Sequence, residues 1–408
     1  MIYNTSRKIR IYPNENQIEL IENTFSCVRL VWNKLLEKSI ENYYDPNTEF
    51  YISNYADIVR EYDFLNRSNK EFRVDRHALS NERMFLIKAF RKYFNYVKDI
   101  DNVEYRKDGK PKYFPRFKSR KYSRNSYTNY NAWSYSNIDN KNHMIKIPCL
   151  GWVKFNPREK KLPIAYKIKN VTISKSTTGK YYCSICFEYE DSNVNGENFV
   201  NRPDDNIKII GLDYSSSSLY IDSNNNKPNY PKYLQQNLKR LRILNKQLSR
   251  RQKGGKNYYK TLTKLRILNE KISNQRKDFL HKLSTTITKS YDIVCVEDIN
   301  MRSISKNMNL GRATCDNSFG ILRDMLMYKI NKQHFKLFIK IDKWYPSSKT
   351  CSCCGFINKD LTLKDRIYNC PNCGYVIDRD FNAAINIKQY GIDYVNKTFH
   401  DIRQFNFI

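Results

Sequence analysis

The sequence predicts a multidomain α/β protein, and three observations support this prediction. The chain has 408 residues, about three times the commonest domain size, which favours two or three domains. Residues 192–206 are polar, unpatterned and rich in Asn, Asp, Gly and Pro, which is typical of a domain boundary. Before this segment the pattern is strand-like; after it, short apolar runs alternate with helical patterns, as expected of an α/β domain.

The N-terminal half begins with an alternating segment and continues with helices. Residues 6–12 (SRKIRIY) alternate basic and apolar side chains, which predicts a strand closed by the Pro-Asn pair that follows. Apolar residues recur at helical spacing between 18 and 35, and this spacing returns over 77–99. From 144 to 190 the chain alternates again between Gly, Asn and Pro punctuation, which predicts several strands.

The C-terminal half alternates buried strands with helices. The run IKIIGLD at 207–213 predicts a buried strand that ends in an acid, with LYID at 219–222 as its hairpin partner. The run DIVCVED at 292–298 predicts a second strand of this kind. The remaining predicted elements are two strongly basic helices separated by Gly254-Gly255, a helix over 318–334, a strand over 336–342 and a closing helix from 378 to 391.

The excess of positive charge indicates an anionic partner. The chain carries 72 Lys and Arg against 41 Asp and Glu, a formal net charge of +31, and nucleic acid and an anionic membrane surface are the two candidates. No run approaches the roughly 18 apolar residues of a membrane span, which excludes an integral membrane protein. The N-terminus lacks the apolar core of a secretory signal, so we expect a cytoplasmic protein without a membrane partner.

The cysteines are unevenly distributed, and five of the eleven lie between positions 351 and 373. The spacing Cys351-x2-Cys354, then 15 residues, then Cys370-x2-Cys373 matches two knuckles around one tetrahedral zinc ion, with Cys353 as the spare thiol. A glycine follows each pair and allows a tight turn. The alternative is four ordinary buried cysteines, but the spacing favours one structural zinc ion, which supports folding rather than chemistry.

Three carboxylates lie at the ends of separate predicted elements. Asp213 ends the first apolar strand, Glu297 ends the second, and Asp380 opens the closing helix. Carboxylates that converge at a sheet edge are the ligands that two Mg²⁺ ions need, and two such ions about 3.5–4 Å apart can hydrolyse a phosphodiester. For each acid alone, the alternative is an ordinary strand-end or helix-capping residue. Asp298 and Asp378 lie beside the candidates, and we expect them to support the ligands or to be solvated.

Residues 105–128 form a basic and aromatic run with little periodicity. Nine Lys and Arg alternate there with Tyr and Phe, a combination that offers positive charge to phosphates and stacking faces to unpaired bases. We expect Arg116, Lys118 and Arg120 to contact nucleic acid and to be solvated in its absence. The alternative is a solvated basic loop without a ligand. The basic helices between 238 and 282 favour the same partner less specifically.

Four linked motifs resemble a known family. IIGLDYSSSSLYIDS, NQRKDFLHKLST, VCVEDINM and the run from DKWYPSSKTCSCCG through YNCPNCG to DRDFNAAINI are similar to the nuclease half of transposon-encoded TnpB proteins, compact relatives of type V CRISPR effectors. The similarity is dense over 207–390 and looser in KIRIYPNENQIELIENTFSCVRLVWNKLL and YFPRFKSRK. It implies an enzyme that binds a guide RNA and cuts double-stranded DNA beside a short motif by a two-metal RuvC mechanism. It places the catalytic acids on Asp213, Glu297 and Asp380, and the zinc ligands on the four cysteines above.

The same resemblance implies an order of domains. A wedge-like β-barrel at 1–15 and 125–200 is interrupted by a helical recognition lobe at 16–124, which includes most of the basic and aromatic run. An RNase H-like nuclease domain of the RuvC type follows at 207–408, and the zinc ribbon is inserted in it at 344–376.

Two other functions stay open from the sequence. A catalytically silent, RNA-guided DNA-binding repressor would have lost an acid, and none of the three is lost. A transposase that joins DNA uses the same fold and three acids, although the resemblance favours a nuclease. Two departures from the family pattern remove no metal-binding carboxylate: Tyr214 and four serines follow the first acid, and Ile377 stands where many relatives have His.

Overall fold

The chain divides into two compact units, Met1–Asp191 and Ser192–Ile408. The computed structural model describes residues 2–408 except 46–48, 63–64, 66–71, 100–102, 121–124, 131–136, 191–198, 200–201, 203, 302–310, 312–315, 343, 363–364 and 400–403. Most of the predicted boundary segment 192–206 and residues 121–124 of the basic run therefore lie outside the described residues. Each unit has its own sheet and its own hydrophobic core.

The first unit is built on a seven-stranded antiparallel sheet. Its strands are β1 (Ile2–Tyr12), β2 (Ser126–Asn129), β3 (Asn137–Asp139), β4 (Met144–Ile147), β5 (Gly151–Phe155), β6 (Lys167–Lys175) and β7 (Tyr181–Glu190). They lie in the order β2-β6-β7-β1-β5-β4-β3. Among the described residues the edge strands β2 and β3 do not pair, so the sheet is open and the expected closed barrel is not confirmed.

Three helices of the first unit share a core with this sheet: α1 (Glu15–Tyr44), α2 (Tyr55–Glu61) and α3 (Arg76–Val97). The start of α1 is set by a capping box. The Asn14 side chain accepts a hydrogen bond from the Gln17 N–H at 2.9 Å, and the Gln17 side chain accepts one from the Asn14 N–H at 3.0 Å. This cap and the buried apolar stripe of α1 explain why a helix of 30 residues follows the Pro-Asn pair.

The second unit is built on a four-stranded sheet in the order β10-β9-β11-β12. Its strands are β9 (Ile209–Ser215), β10 (Leu219–Asp222), β11 (Ile293–Glu297) and β12 (Leu337–Ile341). The strands β9, β11 and β12 are parallel, and β10 forms an antiparallel hairpin with β9. Two smaller pairs complete the described strands: β8 (Asn206–Ile207) with β15 (Asn406–Phe407), and β13 (Ile367–Asn369) with β14 (Val376–Asp378).

Helices cover both faces of the four-stranded sheet: α4 (Tyr233–Ser249) and α5 (Lys256–Ser290) form a long hairpin, α6 (Phe319–Ile330) precedes β12, and α7 (Arg379–Phe399) follows β14. Even-numbered residues of β9 and β11 join a core with α5 and α6, whereas odd-numbered residues join a second core with α7. Burial on both faces explains why these strands are apolar along their length. It also assigns Asp213 and Glu297, both odd-numbered, to the face that α7 covers.

The α4–α5 hairpin is strongly basic. Between positions 233 and 282, fifteen Lys and Arg stand against two acids. At this end of the hairpin, the described residues bury a narrow apolar seam of Leu241, Leu244, Leu268 and Ile272 between the two helices. Most of the remaining surface is therefore solvated and positive. No described helix is long and apolar enough to cross a membrane.

Candidate active site and metal centre

Asp213 and Glu297 lie side by side on neighbouring parallel strands. The register pairs Val296 of β11 with Leu212 of β9, so the next residue along each strand is an acid. Neighbouring strands are about 4.8 Å apart, and residues in register point to the same face of a sheet. The two carboxylates therefore share the face on which α7 packs. Glu297 is the last residue of β11, but β9 continues past Asp213 to Ser215, where it pairs with β10, so the expected strand end at Asp213 is corrected.

A glycine in β9 allows α7 to lie directly against this face. A Cβ atom at Gly211 would lie 2.3 Å from the carbonyl oxygen of Ala384 and 2.6 Å from the backbone nitrogen of Lys388, both in α7. Gly211 and Asp213 are two residues apart in a strand and point the same way. Asp380 lies about one helical turn before Ala384, and it is close enough for its charge to act on Asp213.

The three carboxylates repel one another. Burial and the negative charges of Glu297 and Asp380 raise the pKa of Asp213 well above its usual range, and the Arg379 guanidinium offsets part of this rise. Burial also raises the pKa of Glu297. A divalent cation stabilises such a cluster because it supplies the positive charge that the acids lack.

The acids beside the three candidates have other partners. Asp378 accepts hydrogen bonds from the N–H groups of Asp380 and Phe381, each at 3.0 Å, and so caps the start of α7. Asp298 is exposed and forms an ion pair with Arg323 at 3.2 Å. Asp378 thus holds the helix turn that carries Asp380, and Asp298 lies on the surface.

The four predicted cysteines come together in the ribbon formed by β13, β14 and the segment before them. The Sγ atoms of Cys351, Cys354, Cys370 and Cys373 all lie within 4.8 Å of one another, and within the described ranges no other group of three or more metal-binding side chains is as compact. Two Sγ distances, 3.7 Å between Cys351 and Cys373 and 3.6 Å between Cys354 and Cys370, match the edge of about 3.8 Å in a tetrahedron with Zn–S bonds of about 2.3 Å. The cluster can therefore hold one zinc ion.

The two halves of the cysteine cluster have the same backbone. The Cys351 N–H donates to the Phe356 carbonyl at 2.8 Å, and the Gly355 N–H donates to the Cys351 carbonyl at 2.9 Å. Cys370 and Gly374 repeat this pair of hydrogen bonds at 2.9 and 3.0 Å. Gly355 and Gly374 have left-handed backbone conformations, with φ of +75° and +70°. Residues with a side chain rarely adopt this conformation. Each half is thus a tight knuckle whose amide groups surround the thiols.

The thiols of the ribbon are not equivalent. Hydrogen bonds from the Phe356 N–H and the Asn372 side chain lower the pKa of Cys354 to about 6, which favours the thiolate that a metal requires. Cys353 is exposed and is not part of the four-thiol group. Tyr368 is fully buried in the ribbon, and its hydroxyl donates to two backbone carbonyls at 3.1 and 3.2 Å.

Part of the basic run is held against α1 and α3. The Trp32 Nε1–H donates to the Arg116 carbonyl at 2.9 Å, and the Asn33 side chain exchanges two hydrogen bonds with the Lys118 backbone at 2.7 and 2.9 Å. The Lys118 ammonium lies 2.5 Å from the Glu82 carboxylate and 4.0 Å from the centre of the Trp32 ring. Lys118 is less solvated than expected, because its side chain is only 30% exposed and its charge neutralises a carboxylate that is 4% exposed.

Arg116, Phe117 and Arg120 lie on the solvent side of the same segment. All three are exposed, and 55% of Phe117 is accessible. Because the backbone is tied to α1 on both sides of Phe117, these side chains extend from a fixed strip. Two guanidinium groups and a ring displayed together fit a phosphate backbone and an unpaired base.

Three family models match the chain. The model described as "Cas12f1-like, TNB domain" matches residues 319–387, which include the cysteine ribbon and the first turns of α7. The model described as "Probable transposase" matches 184–308, which include β9 and β11. The model described as "Helix-turn-helix domain" matches 1–47.

Relatives match over most of the chain. A protein of Streptomyces pristinaespiralis named "Putative RNA-guided DNA endonuclease" is 31% identical over 394 residues, 94% of this chain and 89% of the relative. The TnpB-like protein L79 of Acanthamoeba polyphaga mimivirus is 34% identical over 122 residues, 28% of this chain and 23% of the relative. The chain belongs to the TnpB family.

The fold of this TnpB-family protein is also that of a solved effector. In a cryo-EM structure of a Cas12f1-sgRNA-target DNA complex, the protein matches with a TM-score of 0.54 and 15% identity, over 95% of this chain and 99% of that one. At this identity the match establishes a common fold.

Sequence reasoning missed the two glycines that seat α7 on the sheet of the TnpB-family protein. Gly211 stands inside an apolar strand, and Gly391 stands inside α7, where a Cβ atom would lie 2.2 Å from the Cys295 sulfur. Glycine destabilises the interior of both strands and helices. Glycines at these two positions, in the elements that carry the acids, could have predicted that α7 packs closely against the sheet.

Proposed function

We propose that this protein is an RNA-guided DNA endonuclease. The observation that carries the proposal is the convergence of Asp213, Glu297 and Asp380 on one face of a sheet, where the negative charges of the other two raise the pKa of Asp213. The names of the relatives and the RNA and DNA in the Cas12f1 complex support it. The net charge of +31 supplies the attraction that two nucleic acids require.

The three acids would hold two Mg²⁺ ions. The charges of both Glu297 and Asp380 act on Asp213, so Asp213 could share an ion with either of them. Three carboxylates, with a combined charge of −3, could share two divalent ions about 4 Å apart. When bound, such ions activate water and stabilise the leaving oxygen of a phosphodiester. Arg379 donates to the Asp380 carboxylate at 3.0 and 3.3 Å and partly balances the cluster.

The domain assignment follows from this site. A β9–β10 hairpin, two further parallel strands and helices on both faces support an RNase H-like, RuvC-type domain at 207–408, with one structural zinc ion in the ribbon at 344–376. We assign residues 1–15 and 125–200 to a wedge-like domain and 16–124 to a recognition lobe. The strip that carries Arg116 and Arg120, and the basic α4–α5 hairpin, would contact the guide RNA or its duplex with target DNA.

The guided function is tested by the affinity of the protein for its own transcript. We expect steeply salt-dependent binding to any RNA, and an additional, less salt-sensitive affinity for the RNA encoded beside the gene, because charge alone cannot distinguish sequences. The measurement compares that transcript with a shuffled RNA of equal length at matched salt. Equal affinities would leave a non-specific basic protein and exclude the RNA-guided function.

We expect variants to separate the solvent-facing arginines of the basic strip, which would bind RNA, from Lys118, which stabilises the fold. The double variant Arg116→Ala, Arg120→Ala should leave thermal stability unchanged. It should reduce the slope of log affinity for RNA against log salt concentration by about 1.4, since each phosphate neutralised on a single strand contributes about 0.7 to that slope. Lys118→Ala should instead lower the stability of the first unit by about 1–3 kcal/mol, because it leaves the Glu82 carboxylate buried without its cation.

Thermal melting and salt titration of RNA binding distinguish these variants. In a Glu82→Gln background, Lys118→Ala should be nearly neutral for stability, because no buried charge remains. If Lys118→Ala flattens the salt dependence while the melting temperature stays unchanged, then Lys118 contacts RNA and the structural assignment is wrong.

A further inference from the structure

Two buried asparagines of α7 join the helix to the zinc ribbon. The Asn382 side chain donates to the Thr350 carbonyl at 2.7 Å and accepts from the Ser352 N–H at 3.0 Å. The Asn386 side chain donates to the carbonyls of Thr350 and Ser347, both at 2.7 Å. Asn382 is fully buried and Asn386 is 4% exposed. All the polar atoms that these bonds use on the ribbon belong to its backbone.

The two residues to which Asn382 is hydrogen-bonded are the neighbours of a predicted zinc ligand. Thr350 and Ser352 flank Cys351 in the chain, and the Cys351 backbone is itself held in the knuckle by the Phe356 carbonyl at 2.8 Å. Asn382 follows Asp380 by two residues within the first turn of α7. A short path of hydrogen bonds therefore runs from the first knuckle to the helix turn that carries the third acid.

The same turns of α7 are held from the other side by the sheet. Gly211 of β9 brings the strand within van der Waals contact of the helix backbone at Ala384, between the two asparagines in sequence. Apolar side chains would suffice to bury the ribbon against the helix, and Asn is a poor helix former. Two buried amides instead fix both the distance and the rotation of the helix relative to the knuckle, since each bond has a narrow geometry.

We propose that Asn382 and Asn386 are positioning residues, through which the zinc-bound knuckle sets the place of Asp380 and hence the affinity of the acids for divalent metal. This inference rests on the proposed nuclease site. It makes the zinc site and the acid site thermodynamically coupled, so that occupancy of one strengthens the other by an equal factor.

The first test compares Asn382→Ala with Gln389→Ala, an exposed amide on the same helix whose side chain donates to Asp393 of α7. We expect Asn382→Ala to keep one zinc per chain and full guided DNA binding, but to need about ten-fold more Mg²⁺ for half-maximal cleavage, as loss of a ligand-supporting bond typically requires. Calorimetric titration with Ca²⁺ should show a similar loss of affinity without any cleavage. Gln389→Ala should match the unmodified protein in each measurement.

The main comparison of the second test uses the unmodified protein alone. Zinc release from the unmodified protein to a zinc-selective chelator should be slower in saturating Ca²⁺ than in its absence, and the effect should vanish in Asp380→Ala. An unchanged release rate would overturn the coupling. So would an Asn382→Ala protein whose Mg²⁺ requirement, corrected for its folded fraction, equals that of Gln389→Ala. If Asp380→Ala cleaves normally, the acid assignment fails instead.

Discussion

Asp213→Asn is expected to abolish guided cleavage and, at the same time, to raise the melting temperature of the metal-free protein. The ionised carboxylate is disfavoured by burial and by the charges of Glu297 and Asp380, which raise its pKa. A neutral amide of the same shape relieves this repulsion near pH 7, and each 1 kcal/mol of relief raises the melting temperature by about 2–4 °C in a domain of this size. Greater stability together with lost activity is the mark of a functional acid cluster.

The loss of activity should be large for each of the three acids. A bound divalent ion supplies several kcal/mol of transition-state stabilisation, and a loss of about 4 kcal/mol corresponds to about a thousand-fold lower rate. We expect the cleavage rates of Asp213→Ala, Glu297→Ala and Asp380→Ala each to fall by at least this factor, while guided DNA binding persists. Single-turnover cleavage and a filter-binding assay on the same preparations measure the two quantities.

Asp378→Ala is the matched control for the acid variants. It removes the cap of α7 and should cost about 1 kcal/mol of stability, yet at saturating Mg²⁺ it should retain cleavage, because Asp378 bonds to the backbone of the helix start and supports Asp380 without replacing it as a ligand. If Asp378→Ala loses cleavage and Asp380→Ala retains it, the third acid is misassigned. A lower melting temperature for metal-free Asp213→Asn would contradict the mutual repulsion of the acids.

That Asp213 and Glu297 each close an apolar run on a buried strand was predictable from local pattern, although β9 continues two residues beyond Asp213 into its hairpin with β10. Each acid ends an apolar run of strand length, and parallel strands end at a common edge. Which face the acids occupy depends on the register between β9 and β11, in which Leu212 pairs with Val296. Register is a long-range property of a strand pair, and no single segment encodes it.

The basic run shows where local pattern fails. Lys118 has the same sequence environment as Arg116 and Arg120, but Glu82 lies 36 positions away and reaches it only in the folded chain. Composition predicted the charge of the segment and not its orientation, because orientation depends on the partners that α1 and α3 bring to it. The open sheet of the first unit is a further example, since closure depends on pairing between edge strands that are distant in sequence.

The cysteine ribbon was predictable in detail because the ligands, their spacing and the glycines of both knuckles are all local. The structure adds how little else holds it together. Among the described residues of the ribbon, the buried hydrophobic side chains are Cys351, Tyr368 and Cys370, with Leu361 and Ile377 partly buried against them. A core of this size cannot offset the conformational entropy of about 30 ordered residues. A bound zinc ion would therefore contribute most of the folding free energy of the ribbon.

Cys373→Ser is accordingly expected to release the zinc ion and to destabilise the segment 344–380, which includes the ribbon. Zinc binding by small cysteine sites is worth about 10–16 kcal/mol, far more than the ribbon core can supply. Because Cys373 is exposed, its replacement by Ser leaves no cavity, and the change in stability reports the metal. The zinc content measured by metal analysis should fall from one ion per chain to near zero. Limited proteolysis should cut within the ribbon first.

Cys353→Ser is the control that separates ligand loss from loss of any nearby thiol. Cys353 lies one residue from Cys354, is exposed in the same way and stands outside the four-thiol group. Its variant should retain one zinc per chain, resist proteolysis and cleave guided DNA at the unmodified rate. Equal zinc loss in Cys353→Ser and Cys373→Ser would show that the ligand set is wrong. Full zinc content in Cys373→Ser would show that three thiols suffice, and that the 3.7 Å approach of Cys373 to Cys351 contributes no metal bond.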